Sequence, residues 1–489
     1  MRFLLDTNIL IPLEDSRIAL APALAAFVRF ANEYGHPLVY HPASERDIER
    51  DADASRRAQT LARLEQYVQL DHTPACPWND QGTSENDAVD NEILFALSQH
   101  AARFLVTEDM AIHRKARTHH LDQKVFTIQQ ALDLLRRLHE LASVYQPNIS
   151  EVPLHALMSQ LPGPFFNSLR EGYPEFDAWF RNKAEEGRRA WVCLSEEGYL
   201  KGLCVFAIQG PSEVAAEGLA FNGPALKLCT FKVGDADRGQ KIGELLLKTA
   251  FQFSSQNRVE RIFLHTDVER QPRLVDLLED HGFQVANTYG RDTVFIKEHP
   301  VAHPETEIDP VVYNRRYFPH YQSDRQIRKF IVPIVPGYHQ VLFPDYHRDG
   351  DHRPLVDLTG GNTAGNAIKL AYLCHSQTTK IRPGDLVIFY RSHDHMEVTS
   401  LGVVEQVETL RDPDAIIELV KRRTVYAMEA IVDMAQKPTK VILFRLVEHF
   451  PKPARLALLT RKGILKAPPQ SITEISHASY LKLMEVTRA

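Results

Sequence analysis

Short apolar runs alternate with longer stretches of helical composition through residues 1–149. RFLL (2–5), PLVY (37–40) and RFLV (103–106) are the apolar runs, and helical material fills Ser44 to about Leu70, DAVDNEILFALSQHA (87–101) and TIQQALDLLRRLHEL (127–141). Strands separated by helices predict a parallel sheet, because a strand rejoins a parallel neighbour only through a crossover. A second α/β pattern fills residues 150–300, with strands expected at WVCLSE, GLCVFAI, ALKLCTFKV, RIFLHTD and TVFIKE. The Pro- and acid-rich stretch HPVAHPETEIDP then reads as a linker, so 301–335 is expected to be a basic and aromatic connection. Short strands around GDLVIFYRS, TSLGVVEQV and KVILFRLVEH favour a small β-barrel with helices over 336–489. A multidomain α/β chain is expected, and 489 residues suit about three domains.

Composition narrows the class. With 44% hydrophobic and 25% charged residues and no apolar run near the roughly 20 residues of a membrane span, a cytoplasmic protein with no membrane partner is expected. The N-terminal apolar stretch breaks at Asp6 and has no small-residue cleavage site, which argues against a signal peptide. Cys76, Cys193, Cys204, Cys229 and Cys374 show no CxxC spacing and read as structural thiols. A net charge of -6 leaves nucleic-acid binding to local patches.

Four acidic places stand out in the first block: Asp6 after the first strand, Glu45 or Asp47 in HPASERDIERD, Asp87 with Asp90, and Asp109 in FLVTEDM. Asp6 and Asp109 each follow a strand closely, and strand carboxyl ends form the ligand crevice of an open parallel sheet. On a helical wheel Asp90 falls within the apolar arc of Val89, Ile93, Leu94 and Leu97, with Asp87 at its edge. A carboxylate there needs a cation, a metal or hydrogen-bond donors. Gathered carboxylates raise one another's pKa, and an oxygen-only set relieves this best with Mg2+ or Mn2+, which would activate water against a phosphodiester. Helix capping and dipole complementation are the simpler roles for the same acids.

LLDTNIL, a mid-block acid, NDAVDNEILFAL and LVTEDM together resemble the PIN-domain ribonucleases, which include many toxins of bacterial toxin–antitoxin pairs. The resemblance implies a PIN-like parallel-sheet domain, metal-binding roles for Asp6, Asp90 and Asp109, a supporting or ligand role for Asp87, and steadying of Asp6 by Thr7 or Asn8. It puts the second acid on the helix after the second strand. Glu45 is preferred to Asp47 because it flanks the arc of Ile48 and Ala52. RNA as substrate and an antitoxin protein as partner are likewise implied.

In the second block, ALKLCTFKVGDADRGQKIGELLLKTAF reads as strand, Gly-bearing turn and helix, an arrangement that offers backbone amides to an anion such as a pyrophosphate. With RIFLHTDV and QPRLVDLLEDHGF it resembles motifs A and B of the GNAT superfamily acetyltransferases. The resemblance implies a GNAT α/β domain that binds acetyl-CoA, with Arg238, Gly239, Gln240, Lys241, Ile242 and Gly243 around the pyrophosphate and the strand ending near Val233 along the pantetheine arm. Lys241 stands where the family usually has Gly, Gln271 replaces a frequent Asn, and Leu278 stands where many members carry a proton-donating Tyr.

YNRRYFPHYQSDRQIRKF (313–330) interleaves cations with aromatic rings, a mixture that suits RNA and equally a packing strap. Arg315, Arg316, Tyr317, Arg325 and Arg328 are its expected RNA contacts. Beyond it, the RPGD turn entering an apolar strand resembles the PUA-like barrels, including ASCH and EVE domains, which contact RNA or modified bases. His393 and His395 in SHDHM read as exposed loop residues. The leading expectation is a metal-dependent endoribonuclease with fused acyl-CoA-binding and RNA-reading modules. An N-acetyltransferase acting on an RNA-linked or protein amine over a degenerate PIN scaffold is the alternative. A non-catalytic RNA-binding regulator is a second one.

Overall fold

A computed structural model describes residues 1–14, 20–64, 66–71, 73–78, 85–139, 148–210, 214–216, 219–234, 237, 241–346, 363–364, 368–420, 423 and 426–488. The three apolar runs become β1 (Phe3–Leu5), β2 (Leu38–Tyr40) and β4 (Phe104–Val106), and two-residue strands that no such run marks, β3 (Val68–Gln69) and β5 (Val125–Phe126), join them. They pair in parallel in the order β3-β2-β1-β4-β5. β1, β2 and β4 persist because both faces are covered, whereas β3 is an exposed edge. Leu4, Val39 and Leu105 pack with Val89, Ile93, Leu94 and Leu97 of helix Glu85–Ser98, while Phe3 meets Phe27 edge-on at 5.4 Å on the other side. The order reverses between β1 and β4, so the crevice at their carboxyl ends is where this sheet can hold a ligand. The helical material expected from Ser44 to about Leu70 is two helices, Pro42–Glu49 and Ala54–Leu64, and its end is β3.

Contact density groups Met1–Ser143 with Leu410–Arg422 and Tyr426–Lys437 in one unit, and Val144–Thr409, Arg423–Val425 and Pro438–Ala489 in another. The expected boundary at 336–489 therefore needs correction, because helices Pro413–Val420 and Met428–Ala435 belong with the first unit. Within that unit Arg103 pairs with Asp412 at 3.1 Å and Glu418 at 3.0 Å.

The second unit holds β6 (Asn148–Pro153), β7 (Arg189–Leu194), β8 (Leu200–Gln209), β9 (Val214–Ala216), β10 (Leu219–Ala220), β11 (Ala225–Val233), β12 (Arg261–Thr266), β13 (Gln284–Tyr289) and β14 (Asp292–Glu298). Further on come β15 (Lys329–Ile334), β16 (Thr363–Ala364), β17 (Lys369–Cys374), β18 (Leu386–Arg391), β19 (Glu397–Leu410), β20 (Thr439–Arg455) and β21 (Thr473–Ile475). One eight-stranded sheet runs β13-β14-β12-β11-β8-β7-β6-β16, and one six-stranded sheet runs β17-β20-β19-β18-β15-β21. Two corrections follow. β16 comes from the third block yet completes the second block's sheet, so these blocks share a sheet as well as a compact unit. Residues 301–335 are not only a linker, since β15 lies inside the six-stranded sheet between β18 and β21. The expected barrel segment appears as that sheet, with apolar clusters on alternating residues: Ile331, Ile388 and Tyr390 in one, Phe330, Val332 and Phe389 in the other.

Candidate functional site

Asp6 follows β1 and is 5% exposed. Its Oδ1 accepts from the Thr7 amide at 2.8 Å and its Oδ2 from the Thr107 hydroxyl at 2.6 Å, and Thr107 Oγ1 in turn accepts from Asn8 Nδ2 at 2.9 Å. Thr7 and Asn8 thus steady Asp6, directly and through Thr107. Burial pushes the Asp6 carboxyl up to about 7; the bonds from Thr107 and Thr7 pull against it, and the charges of Asp90 and Asp109 add to it. The switch point therefore brings Asp6, Asp90 and Asp109 into one electrostatic field.

They do not gather around a metal. Lys115 Nζ lies 2.7 Å from Asp87 and 3.0 Å from Asp90, so the partner that an acid on a core-facing helix requires is a lysine. Asp109 caps helix Met110–Thr118 by accepting from Ala111 N at 2.6 Å. Glu45 accepts from Tyr40 Oη and Gln69 Nε2, both at 2.8 Å, and Asp47 pairs with Arg50 at 2.7 Å. Among the described residues no three His, Cys, Asp or Glu side chains stand together as a metal ion requires. As arranged, the acids do not fit the expected Mg2+ or Mn2+, and Lys115 supplies the counter-charge. Sequence reading missed Lys115, although the stranded Asp90 signalled that some cation was needed.

The second unit contains a cleft. β11 and β12 are the one parallel pair of the described strands in the eight-stranded sheet, and their ladder covers only Leu226↔Ile262 and Lys227↔Phe263. Beyond that point β11 continues along β8 as far as Val233↔Gly202, and β12 continues along β14 as far as Thr266↔Thr293. Each strand stays with its outer neighbour, so the two part and open a wedge. The cause is local: the β11–β8 register shifts between Leu228 and Thr230, and a bulge of this kind bends its strand.

Helix Ile242–Asn257 starts beside this wedge. Among the described residues no side chain caps it, and Lys241 turns the chain into it at φ 62°. Gly202 allows the close approach, since a Cβ there would stand 2.4 Å from Ile242 Cγ2. Gly243 does the same against Leu277, at 2.9 Å, and has Phe231 and Val233 of β11 at 3.7 Å. A strand edge parted from its neighbour and an uncapped helix start suit a ligand with an amide-bearing arm and a diphosphate. Val233, Lys241, Ile242 and Gly243 are brought together here, while Arg238, Gly239 and Gln240 lie outside the described residues. Leu278 is fully buried among Leu246, Phe251 and Phe283, so that position has no proton to offer.

Different elements pack on the two faces of the sheet. Trp191, Cys193 and Cys204 pack with helix Ile242–Asn257 on one face, and Ala190, Val192 and Val205 pack with Leu154–Ala184 on the other. On this second face residues 165–173 cross the mouth. Ser168 Oγ accepts from Lys232 of β11 at 2.6 Å, and five residues later Tyr173 Oη lies 3.2 Å from Asp292 at the start of β14.

Residues 313–330 mostly pack inward. Tyr313, Phe318 and Tyr321 are buried, Arg316 pairs with Glu298 at 3.0 Å and lies over Tyr317, and Arg328 pairs with Asp385 at 3.3 Å. Of the expected RNA contacts, Arg315 and Arg325 are exposed. The aromatic rings thus serve as a packing strap.

The model of the acetyltransferase (GNAT) family matches residues 154–283, and this stretch is a GNAT acetyltransferase domain. No curated protein matches the chain. Solved structures similar to parts of it include ASCH from Zymomonas mobilis, at 16% identity over 34% of this chain and 97% of that one, TM-score 0.24. A GNAT-family acetyltransferase from Staphylococcus aureus is 15% identical over 31% and 98%, TM-score 0.24. The PaiA N-acetyltransferase from Thermoplasma acidophilum in complex with coenzyme A is 15% identical over 31% and 99%, TM-score 0.23.

Proposed function

We propose that the chain is an N-acetyltransferase that carries the acetyl group of acetyl-CoA to an amine on a protein or an RNA-linked molecule. The observation that supports this best is the wedge between β11 and β12 inside the family-matched residues, with a helix start beside it that no side chain of the described residues caps. Acetyl-CoA supplies the activated acyl group. β11 down to Val233 aligns the arm, the amides at Ile242 and Gly243 meet the diphosphate, and the thioester stands in the wedge where the acceptor arrives from the opposite face. Calorimetry with the full chain tests this: acetyl-CoA should bind, and Gly243→Leu should weaken binding at least tenfold by filling the helix start. A wild-type chain that binds no acetyl-CoA at millimolar ligand overturns the reading.

A second reading makes the first unit a ribonuclease regulated by an antitoxin protein. One observation favours it, the buried Asp6 in the field of Asp90 and Asp109. It requires Lys115 to yield Asp87 and Asp90 to a divalent cation. RNA cleavage that depends on Mg2+ or Mn2+, stops with EDTA and is lost in Asp6→Asn would support it. RNA left intact under all these conditions would end it.

A further inference from the structure

We propose that Tyr173, hydrogen-bonded to Asp292, is the catalytic residue that takes the acceptor's proton during acetyl transfer. The inference rests on the acetyltransferase reading above and adds the group that handles the proton. With leucine buried at 278, helix Pro272–Asp280 offers no phenol to protonate the leaving thiolate, which is left to water; the acceptor's proton is a separate demand, and Tyr173 lies where it can meet it.

Tyr173 is fixed there from several directions. It ends helix Asn167–Gly172, and its amide donates to Leu169 O at 2.7 Å. The Arg270 guanidinium donates to Glu171 O at 3.2 Å, Arg291 donates to Gly172 O, and the Arg291 guanidinium lies 4.8 Å from the Tyr173 ring centre. Asp292 is fixed as firmly. It pairs with Tyr289 across a hairpin whose two loop residues are Gly290, at φ 60°, and Arg291. Tyr173 Oη stands 3.2 and 3.3 Å from the two Asp292 oxygens and can donate to either. The charged groups acting on the phenol are Asp292, Arg291 and Asp267; burial and the two carboxylates push its pKa up, and Arg291 pulls it down.

With its own proton directed at Asp292, the phenol oxygen keeps lone pairs for an acceptor N–H. The amine nitrogen attacks the thioester carbonyl carbon, the C–N bond forms, and the C–S bond breaks with its electron pair leaving on sulfur. Bonded to that carbon, the nitrogen becomes strongly acidic. Its proton passes to Tyr173 Oη as the phenolic proton passes to Asp292, and the thiolate then takes a proton from water while Asp292 returns its proton to solvent.

The full-length chain tests this with n-butylamine, spermidine and polylysine as probes, thiol release as the rate and calorimetry for acetyl-CoA affinity. Tyr173→Phe and Asp292→Asn should each lower kcat about a hundredfold with acetyl-CoA affinity unchanged. The double variant should be no slower than either single one, because the pair works as a unit. Additive losses, or rates within a factor of two of wild type, overturn the relay, as does wild-type binding of acetyl-CoA with no thiol release toward any probe. A chain that does not bind acetyl-CoA overturns instead the reading on which the relay rests.

Discussion

A single lysine decides what the acids of the first unit are. Lys115 lies within 3.0 Å of both Asp87 and Asp90, and replacing it with methionine leaves two carboxylates facing the field of Asp6 and Asp109. Lys115→Met should cost about 1–3 kcal/mol, the range for stranding half-buried charges. Mn2+ should then raise the melting temperature of the variant and leave that of wild type unmoved; equal responses would mean that Lys115 does not hold the cation's place. Asp6 makes a separate prediction. Its carboxyl rises from 3.8 to about 7 in the fold, so it supports the folded state fully below its unfolded pKa and loses that support as pH climbs through about 7. Urea denaturation should show wild-type stability falling between pH 4 and 7 relative to Asp6→Asn, by on the order of 4 kcal/mol at most. The comparison uses slopes, so any bond to Thr107 lost in the variant does not enter it.

Among the elements, the approach of helix Ile242–Asn257 to the end of β11 depends on a residue with no side chain. A Cβ on Gly202 would stand 2.4 Å from Ile242 Cγ2 and must drive the helix start off the sheet. Gly202→Ala should cost about 1–3 kcal/mol and weaken acetyl-CoA binding, whereas unchanged melting and affinity would show that the helix start can shift freely. Apolar β11 keeps the bounds of the run ALKLCTFKV that marks it in the sequence. Polar β13, QVANTY, is mostly exposed and carries no apolar alternation, which is why sequence reading passes over it. The wedge itself is equally hidden, since a bulge changes which residues pair and leaves composition untouched.

For the whole molecule, truncation near Pro300 does not remove one module cleanly. Ile416, Ile417 and Ile431 are fully buried in helices that belong to the first unit. In the second unit Lys248 pairs with Asp345 at 2.7 Å, Lys369 pairs with Asp280 at 2.9 Å, and the Lys369 amide donates to Glu244 at 2.8 Å. Burial would raise Asp345, and Lys248 and His449 hold it well below the usual carboxylate range. A fragment of residues 1–300 should therefore melt well below the full chain and be cut quickly by protease; a native-like cooperative melt would contradict this. The helix start that suits a diphosphate also bears Glu244, held down at about 2 against its burial by His281, Lys241 and the Lys369 amide, so the fragment would lose part of what quiets that charge. The sequence by itself determined the strands with apolar runs, the Gly-bearing turn into a helix, the core leucine at 278 and the crowding of acids after β1 and β4, because each is a property of a few neighbouring residues. Only the tertiary structure decided that Lys115 answers those acids, that residues 410–422 and 426–437 return to the first unit, that β16 completes a sheet begun some 200 residues earlier, and that Tyr173 meets Asp292. These are contacts across long stretches of chain, set by how buried faces and charges find partners in space, and no local pattern encodes them.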